Sequence, residues 1–472
     1  MDRTKQEKRQ SLKVIISEVI MTLAVIITVT ILALIVSGYW LNSDFEVERQ
    51  GMLQVSSVPT GASVNIDGES SWLQRTNTSK VLSKGKHTIT LTKDGYDSWS
   101  KDINIEEGLL YRLHYPRLFW QDRHPEKMLD TTGATMAAIS SNHESLILAN
   151  NTTKWKYIDL AQDELKPKSL DVSKYFSGVS LAENSKTGLF TGQILKANWD
   201  YDATHILFKV QNGDDIEWVL LDVKNLDESI NLTKEFGNDF SSIKILDNNS
   251  SNLLAVQNGN LHKIDVSSRV VSAVLVKNIL NFDHYENEVI FSATSSPKEG
   301  SDVPKYYIGY LQIGDDKVIK LTTTSRPNKV VISKFYDTKY ITALDQDKVT
   351  VYQKDNFEEY HKYNLSFAPE SIQVGHNGEF IIMRTGNKIA TLDMEASKVR
   401  DWDTAGKKFA WIDNDMVCTV SDGHLIVYDY DGYNERTIAK NVSDHFPAGI
   451  TKNKYLYYFS DDYLMREWIV EH

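Results

Sequence analysis

The sequence has 472 residues, with 52 Lys and Arg against 64 Asp and Glu, and a net charge of −12 at pH 7. An acidic chain of this kind is a poor partner for nucleic acids and anionic lipids, which bind proteins through basic surfaces. A single cysteine, Cys418, excludes an internal disulfide, a zinc ribbon, an iron–sulfur site and a CxxC redox motif. Its apolar neighbours predict a buried strand thiol.

Residues 19–40 contain no charged side chain. A helix rises about 1.5 Å per residue, so this run is long enough to cross the ~30 Å hydrocarbon core of a bilayer. Basic residues dominate the segment before it: Arg3, Lys5, Lys8, Arg9 and Lys13. By the positive-inside rule, they predict a cytoplasmic tail at 1–13 and a single-pass transmembrane helix at 14–41. The rest of the chain is then extracellular.

Two other interpretations of the apolar run stay open. The first is a cleaved signal peptide, whose apolar region normally covers about 7–15 residues before an exit site of small residues. This run is longer, and Val36-Ser37-Gly38 is a poor exit site. The second is a buried helix of a soluble domain.

Residues 51–115 change character and predict a small all-β domain. Polar and apolar residues alternate in four short segments, at 54–56, 63–66, 87–91 and 101–105. This period of two is typical of strands with one buried face. Turn residues separate the segments: Pro59-Thr60-Gly61, Asp67-Gly68, Lys84-Gly85-Lys86 and Asp94-Gly95. We therefore expect four or five short strands, with Gly68 and Gly95 in tight turns that need a positive φ.

The same residues carry a family resemblance. Residues 55–68 (VSSVPTGASVNIDG) resemble the opening of a PEGA domain, and residues 82–89 (LSKGKHTI) and 93–96 (KDGY) match its second half. The chain departs from the motif at Thr60, where the family has Glu, and at residues 70–74, where the usual Thr-Pro is missing. The resemblance implies a small β-sandwich found on surface and envelope proteins, and it implies no catalytic residue.

Residues 116–472 repeat a strand–turn–strand theme, with copies near 134, 197, 241, 280, 328, 369, 407 and 445. A period of about 40–50 residues is typical of a β-propeller blade, and the copies predict seven or eight blades. The last copy lacks a strand, which residues 116–131 could supply. The segment Asn198-Trp199-Asp200-Tyr201-Asp202 resembles TolB and WD40-like blades. A pair of β-sandwiches is the alternative fold, but it does not explain the fixed period.

The sequence contains no Gly-x-Ser-x-Gly elbow, His-Glu-x-x-His, Walker loop or GxGxxG. We therefore predict no catalytic, cofactor-binding or metal-binding residue and no cofactor. Acidic clusters at 413–415, 429–431 and 461–462 fit turns better than calcium sites, because the EF-hand spacing is absent. Tyr306, Tyr307, Tyr455, Tyr457, Tyr458 and Trp468 predict blade packing, with a carbohydrate- or protein-binding face as the alternative.

These observations predict a non-enzymatic protein of the cell membrane that displays a PEGA-like module and a propeller outside the cell. Its expected partners are the membrane and a cell-envelope protein or polysaccharide, with no nucleic acid. The alternative is a glycosidase-like or lyase propeller enzyme that uses channel carboxylates on a surface polysaccharide. Carboxylates about 5–10 Å apart in the channel would favour the enzyme. An apolar plug would favour the binding protein.

Overall fold

The computed structural model describes residues 3–36, 39–41, 47–180, 187–237, 240–246, 250–295, 305–315, 317–406, 408–443 and 448–471. Its contacts divide the chain into two compact units, Met1–Gln121 and Asp122–His472. Each unit is described by itself.

The first unit begins with a helix, Arg3–Val36. The helix includes most of the segment predicted as a tail, because its Lys, Arg, Gln and Glu residues are good helix formers. It ends before residue 41, and Tyr39–Leu41 pairs instead as a strand with Val47–Arg49. Within the helix, Ile16–Leu34 is long and apolar enough to cross a membrane, and none of it is buried.

Three threonine hydroxyls in this helix are satisfied internally. Thr22, Thr28 and Thr30 each donate a hydrogen bond of 2.8 Å to the carbonyl four residues earlier. Since hydrocarbon offers no partner to a hydroxyl, this pairing lets the three residues stand in an otherwise apolar segment.

The small β-domain contains two sheets, in agreement with the expected sandwich. A four-stranded sheet has the order Glu69–Arg75, Ser63–Ile66, Gly85–Thr92 and Trp99–Ile105. A three-stranded sheet has the order Thr78–Leu82, Gly51–Val55 and Leu110–Leu113, the last two being parallel. The domain therefore has more strands than the four or five expected, because Glu69–Arg75 and Thr78–Leu82 lack a clear alternation of polar and apolar residues.

The alternation that predicted the other strands matches their burial. Successive side chains from Trp99 to Ile105 are buried and exposed in turn. The two predicted turns also have the expected backbone, with φ of 85° at Gly68 and 78° at Gly95. A side chain at Gly95 would meet the ring of Trp120 at 2.3 Å.

Residues 117–121 belong to this first unit, beyond the predicted boundary at 115. Leu118 and Phe119 are almost fully buried. The amide of Leu118 donates to the carbonyl of Val58, and the amide of Asp97 donates to the carbonyl of Phe119. The apolar pair therefore completes the small domain instead of starting the propeller.

The second unit is a β-propeller whose described residues form eight four-stranded antiparallel sheets, numbered here as blades 1 to 8. The first strands are Ala134–Ile139, Gln193–Trp199, Phe240–Ile245, Ile279–Tyr285, Lys329–Phe335, Ser371–Val374, Phe409–Trp411 and Gly449–Thr451. The second strands are Ser145–Asn150, His205–Asn212, Asn252–Gln257, Glu288–Ser295, Thr338–Asp345, Phe380–Thr385, Met416–Ser421 and Tyr455–Ser460. The third strands are Lys154–Asp159, Asp215–Asp222, Asn260–Asp265, Lys305–Gln312, Lys348–Gln353, Lys388–Asp393, His424–Asp429 and Tyr463–Trp468.

Blades 1 to 7 take their fourth strands from the chain that follows: Lys168–Asp171, Ile230–Asn231, Val270–Val271, Ile319–Thr324, Glu358–Asn364, Lys398–Asp403 and Arg436–Lys440. Shorter elements lie between blades 1 and 3: the paired strands Val179–Ser180 and Leu189–Phe190, the 3-10 helix Leu226–Glu228 and the helix Leu232–Phe236.

Blade 8 obtains its fourth strand from the start of the unit. Glu126–Asp130 pairs antiparallel with Tyr463–Trp468, as the incomplete last repeat predicted. The guanidinium of Arg466 donates to Glu126 Oε2 through Nε at 3.2 Å and Nη2 at 2.8 Å. The strand edges that an open array would leave are thereby paired.

Apolar side chains hold neighbouring blades together. Trp155 of blade 1 is fully buried and its ring lies 5.3 Å from that of Phe208 in blade 2. At the other end of the array, Leu146 and Leu148 of blade 1 pack in one cluster with Tyr457 and Phe459 of blade 8. The last blade therefore contacts the first.

Candidate binding channel

A cavity of about 980 Å³ lies among the first strands of blades 2 to 6 and is called the channel below. Its described lining is a mixture of charged, polar, aromatic and aliphatic side chains. Among the described residues the lining is mixed and is not an apolar plug, so the plug that would have favoured a binding protein is not found there. It is large enough for a small-molecule or oligomeric ligand, since such sites usually measure about 300–1,000 Å³.

Two side chains of blade 4 join its first strand to that of blade 5. Asn281 accepts a hydrogen bond from the amide of Val330 at 3.2 Å. Asp283 accepts one from the amide of Ile332, also at 3.2 Å. The second oxygen of Asp283 accepts a bond of 2.7 Å from Lys244 of blade 3. Asp283 therefore has partners on both neighbouring blades.

Asp200 lies at the end of the first strand of blade 2, in the segment that resembles TolB blades. Its oxygens accept from the amides of Thr204 and His205 at 2.8 and 3.0 Å and lie 3.0 Å from His205 Nδ1. Burial opposes the charge on Asp200, but these hydrogen bonds outweigh it and lower its pKa. Burial also opposes the charge on His205, but Asp200, with a smaller contribution from Asp222, raises its pKa.

The third carboxylate in the described lining is Glu286. It lies 3.5 Å from Lys339, which also forms a 2.7 Å ion pair with the buried Glu288. Glu288 accepts further bonds of 2.8 Å from Lys354 and Tyr310. This network between blades 4 and 5 holds its acidic groups against two lysines.

His376 lines the channel, and His143 lies near His376. The ring of His376 in blade 6 stacks on that of Tyr201 in blade 2, with centroids 5.9 Å apart. His143 of blade 1 lies close to Asp413 and hydrogen-bonds the backbone of Trp411. Burial lowers the pKa of both histidines. Each is therefore held in its neutral form over a wider pH range than an exposed imidazole.

Three lysines line the channel: Lys196 of blade 2, Lys244 of blade 3 and Lys334 of blade 5. Lys244 is paired with Asp283. Among the residues described, Lys196 and Lys334 have no acidic partner within ion-pair distance. Burial between the channel walls, together with the charges of Lys244 and Lys209, lowers the pKa of Lys196.

The residues singled out in the sequence lie elsewhere or have structural roles. Cys418 is fully buried, which raises its pKa to about 12 and removes thiolate reactivity. Asp429 and Asp431 lie in the turn that includes Gly432, whose φ is 80°. Asp413 lies near His143 and raises the pKa of that histidine, although burial outweighs this effect.

The aromatic residues mostly pack between and within blades, as predicted. Tyr455, Tyr457 and Tyr458 are buried, and Trp468 lies edge-on against Tyr455 with ring centroids 4.6 Å apart. Tyr307 packs edge-on against Phe291. Tyr201 was missed as a candidate, although its place in the Trp199-Asp200-Tyr201 turn could have indicated a channel position.

The comparison with known protein families agrees with the predicted identity of the small domain. Residues 50–116 match the PEGA domain family. No curated protein matches the chain. The PEGA match covers the small domain and does not extend into the propeller.

Several solved structures resemble the propeller weakly. The Swd1 β-propeller domain of Myceliophteria thermophila has 10% identity and a TM-score of 0.40, with 74% of this chain and 100% of that one covered. Kluyveromyces lactis Hsv2 has 10% identity and a TM-score of 0.42, covering 65% and 98%. An oligogalacturonate lyase from Vibrio parahaemolyticus has 11% identity and a TM-score of 0.40, covering 58% and 88%.

Proposed function

We propose that this protein is a non-enzymatic, membrane-anchored binding protein whose propeller takes up part of a cell-envelope protein or surface polymer. The observation that carries the proposal is the open channel in which each described carboxylate already has a partner. Asp200 is held by His205 and Thr204, Asp283 by Lys244 and Ile332, and Glu286 by Lys339.

This arrangement favours binding over the glycosidase-like or lyase alternative. A glycosidase needs one carboxylic acid that can give up a proton and a second carboxylate free to act as base or nucleophile. Asp200 has a lowered pKa and four hydrogen bonds from Thr204 and His205, so it is a poor proton donor. Asp283 would have to release a lysine before it could react.

The anchor is part of the same proposal. The apolar helix and the PEGA domain are compatible with either a membrane-anchored or a secreted protein. We favour an anchor with the N-terminus in the cytoplasm, because five basic residues precede the apolar run. Protease added to intact cells should then digest the chain beyond about residue 45. Protection of the C-terminus while the cells stay intact would show the opposite orientation.

The signal-peptide alternative has its own test. Intact-mass measurement of the protein purified from membranes should give a chain that begins at or near Met1. A mature chain that begins near Tyr39 would show a secreted protein.

The binding function is tested with the full chain in detergent micelles. It should be retained by isolated cell-envelope material and should show no turnover of peptides, esters, phosphoesters or glycans, with or without calcium or zinc. A matched preparation of boiled protein controls for non-specific adhesion. Turnover that disappears on Asp283→Asn or Asp200→Asn, with the fold intact, would replace this proposal with the enzyme.

A further inference from the structure

The channel lining is less acidic than the protein as a whole. The chain carries a net charge of −12, yet three lysines from three blades match the three carboxylates of the described lining. Only one of these lysines, Lys244, lies within ion-pair distance of an acid in the described part of the chain. Lys196 and Lys334 are thus lining cations without an ion-pair partner among the described residues.

The three lining carboxylates are already engaged by other side chains. Asp200 is paired with His205, at 3.0 Å, which does not line the channel. Glu286 lies 3.5 Å from Lys339, which does not line the channel either, and Asp283 is paired with Lys244. Lys196 and Lys334 are therefore the lining lysines left to meet an anionic ligand.

Neutral groups in the same wall suit a sugar. The side chain of Ser333 is 1% exposed and its hydroxyl has no hydrogen-bond partner among the described residues. Tyr201 is 61% exposed and offers an aromatic surface. Sugar rings combine apolar C–H faces, which pack on aromatic rings, with hydroxyls that pair with groups such as Ser333 and Asn198.

Size decides between a sugar and a folded protein partner. A volume of about 980 Å³ holds a few sugar rings and does not admit a folded domain. We therefore propose that the channel binds an anionic carbohydrate, with Lys196 and Lys334 contacting its carboxylate or phosphate groups. This inference rests on the proposed binding function and names the chemical class of the ligand.

The state of Lys196 agrees with this role. Burial between the channel walls, together with the neighbouring lysines, lowers its pKa, so an anion beside it would favour the charged form and raise the pKa. Binding should then take up protons from the buffer at alkaline pH, and heats measured in buffers of different ionisation enthalpy should reveal this uptake. Added salt should weaken binding, because charge contributes to it.

The test is calorimetric titration of the full chain in a neutral detergent with three probes. Trigalacturonic acid carries carboxylates, a phosphorylated galactose trisaccharide carries phosphates, and a neutral galactose trisaccharide carries neither. We expect one or both anionic probes to bind and the neutral sugar to bind at least roughly tenfold more weakly. The anionic probe that binds identifies the source of the charge.

Variants connect the binding to the channel. Lys196→Ala should weaken the anionic probe roughly tenfold, and Lys334→Ala should act in the same direction. Lys348→Ala, which removes the same charge from an exposed position away from the channel, should leave the affinity unchanged. Asp283→Asn keeps an acceptor for Ile332 but frees Lys244, so it should tighten binding.

Some results would overturn the inference. These are equal affinity for neutral and anionic probes, no binding of either anionic probe, or unchanged affinity in Lys196→Ala. If neutral and anionic probes bind equally, the proposed binding function survives. It also survives if envelope material is still retained. Cleavage of a probe would instead refute the non-enzymatic function and leave the choice of ligand standing. Circular dichroism of each variant shows whether a loss of binding reflects unfolding.

Discussion

The blade interfaces and the channel wall of the propeller are built in opposite ways. Between blades 1 and 2, Trp155 packs with Phe176, Phe190 and Phe208 in a cluster that excludes water. In the channel, lysines, carboxylates and histidines face an open cavity. The comparison shows that burial of apolar area supplies the stability of the ring, while the channel wall can hold polar and charged groups.

Removal of the strand Tyr463–Trp468, called the closing strand below, should cause the largest loss of stability. A chain that ends at Asp462 loses the buried Leu464 and Ile469 and opens two strand edges. Burial of two such side chains contributes roughly 3–6 kcal/mol, a large part of the ~5–15 kcal/mol of a typical domain. We expect aggregation or a much lower melting temperature in a thermal scan.

A chain that ends at Val470 is the matched control, because it keeps the whole closing strand. It should melt like the wild type. Equal melting of the chain that ends at Asp462 would mean that the strand Tyr463–Trp468 does not stabilise the ring.

Trp155→Ala should have the next largest effect. The side chain is fully buried among three phenylalanines, and comparable truncations cost about 3–5 kcal/mol. The matching change in the channel, Tyr201→Ala, removes a ring that is 61% exposed and should alter the free energy of unfolding by less than about 0.5 kcal/mol. Urea denaturation measures both. Similar values for the two variants would refute the contrast.

Glu288→Ala tests a side chain that is both buried and charged. Glu288 is 4% exposed and holds Lys339, Lys354 and Tyr310. Its removal should cost about 2–3 kcal/mol, less than for a fully buried pair because both lysines keep some contact with water.

The contribution of Glu288 to stability should depend on pH in one direction. Burial opposes the charge on Glu288, but the two lysines and Tyr310 lower its pKa below the usual value of 4.5. Its stabilisation is therefore complete above pH 4.5 and is lost as the pH falls through the lowered pKa. The difference between wild type and Glu288→Gln should shrink in acid. A difference that grows in acid would contradict this assignment.

Asp200→Asn should have a smaller effect, about 1–2 kcal/mol, because Asn retains hydrogen-bond acceptance from Thr204 and His205. The pKa of His205 is raised above 6.5, so its contribution is complete below pH 6.5 and is lost at higher pH. The pKa of Asp200 is lowered below 3.8, so its contribution is lost only in acid.

The difference between wild type and Asp200→Asn should therefore be largest between about pH 4 and 6.5. Urea denaturation at a series of pH values would show this maximum. A difference that stays constant from pH 4 to 9 would mean that His205 does not share the stabilisation.

Lys196→Ala should have the smallest effect, and in the opposite direction. Lys196 has no acidic partner among the described residues. Burial, together with the charges of Lys244 and Lys209, disfavours its charged form. Its removal should leave the free energy of unfolding unchanged or raise it by up to about 0.5 kcal/mol. Lys348→Ala provides the baseline in the same denaturation experiment. A loss above 1 kcal/mol would show a structural role.

The sequence predicted the parts of this fold that depend on local pattern. The alternation at 101–105 and the turn at Gly95 are visible because burial and positive φ each require particular residue types nearby. The repeat also indicated where the blades begin. The repeat left seven or eight blades open. The pairing of Glu126–Asp130 with Tyr463–Trp468, which the missing strand of the last copy had indicated, makes the described blades eight.

The channel could not be predicted in the same way. Lys196, Lys244 and Asp283 come from three blades, and nothing in the spacing of the chain marks them as neighbours. Asp200 lay in a recognised motif, but its partner His205 had no distinguishing pattern. Lysines in an acidic chain look like ordinary solvent-exposed residues until the ring places them around one cavity.

The pairing of Glu126 with Arg466 across 340 residues also determines when the propeller can be completed. During synthesis, Glu126–Asp130 emerges long before its partner strand, so blade 8 has to form after every other blade has been made. Closing so long a loop adds little to the equilibrium cost, since each doubling of length costs only about 0.6 kcal/mol. It does delay folding, because contacts distant in sequence form slowly. A chain interrupted at any point before Tyr463–Trp468 keeps an unpaired strand edge. The ring can therefore close only after this strand has been synthesised.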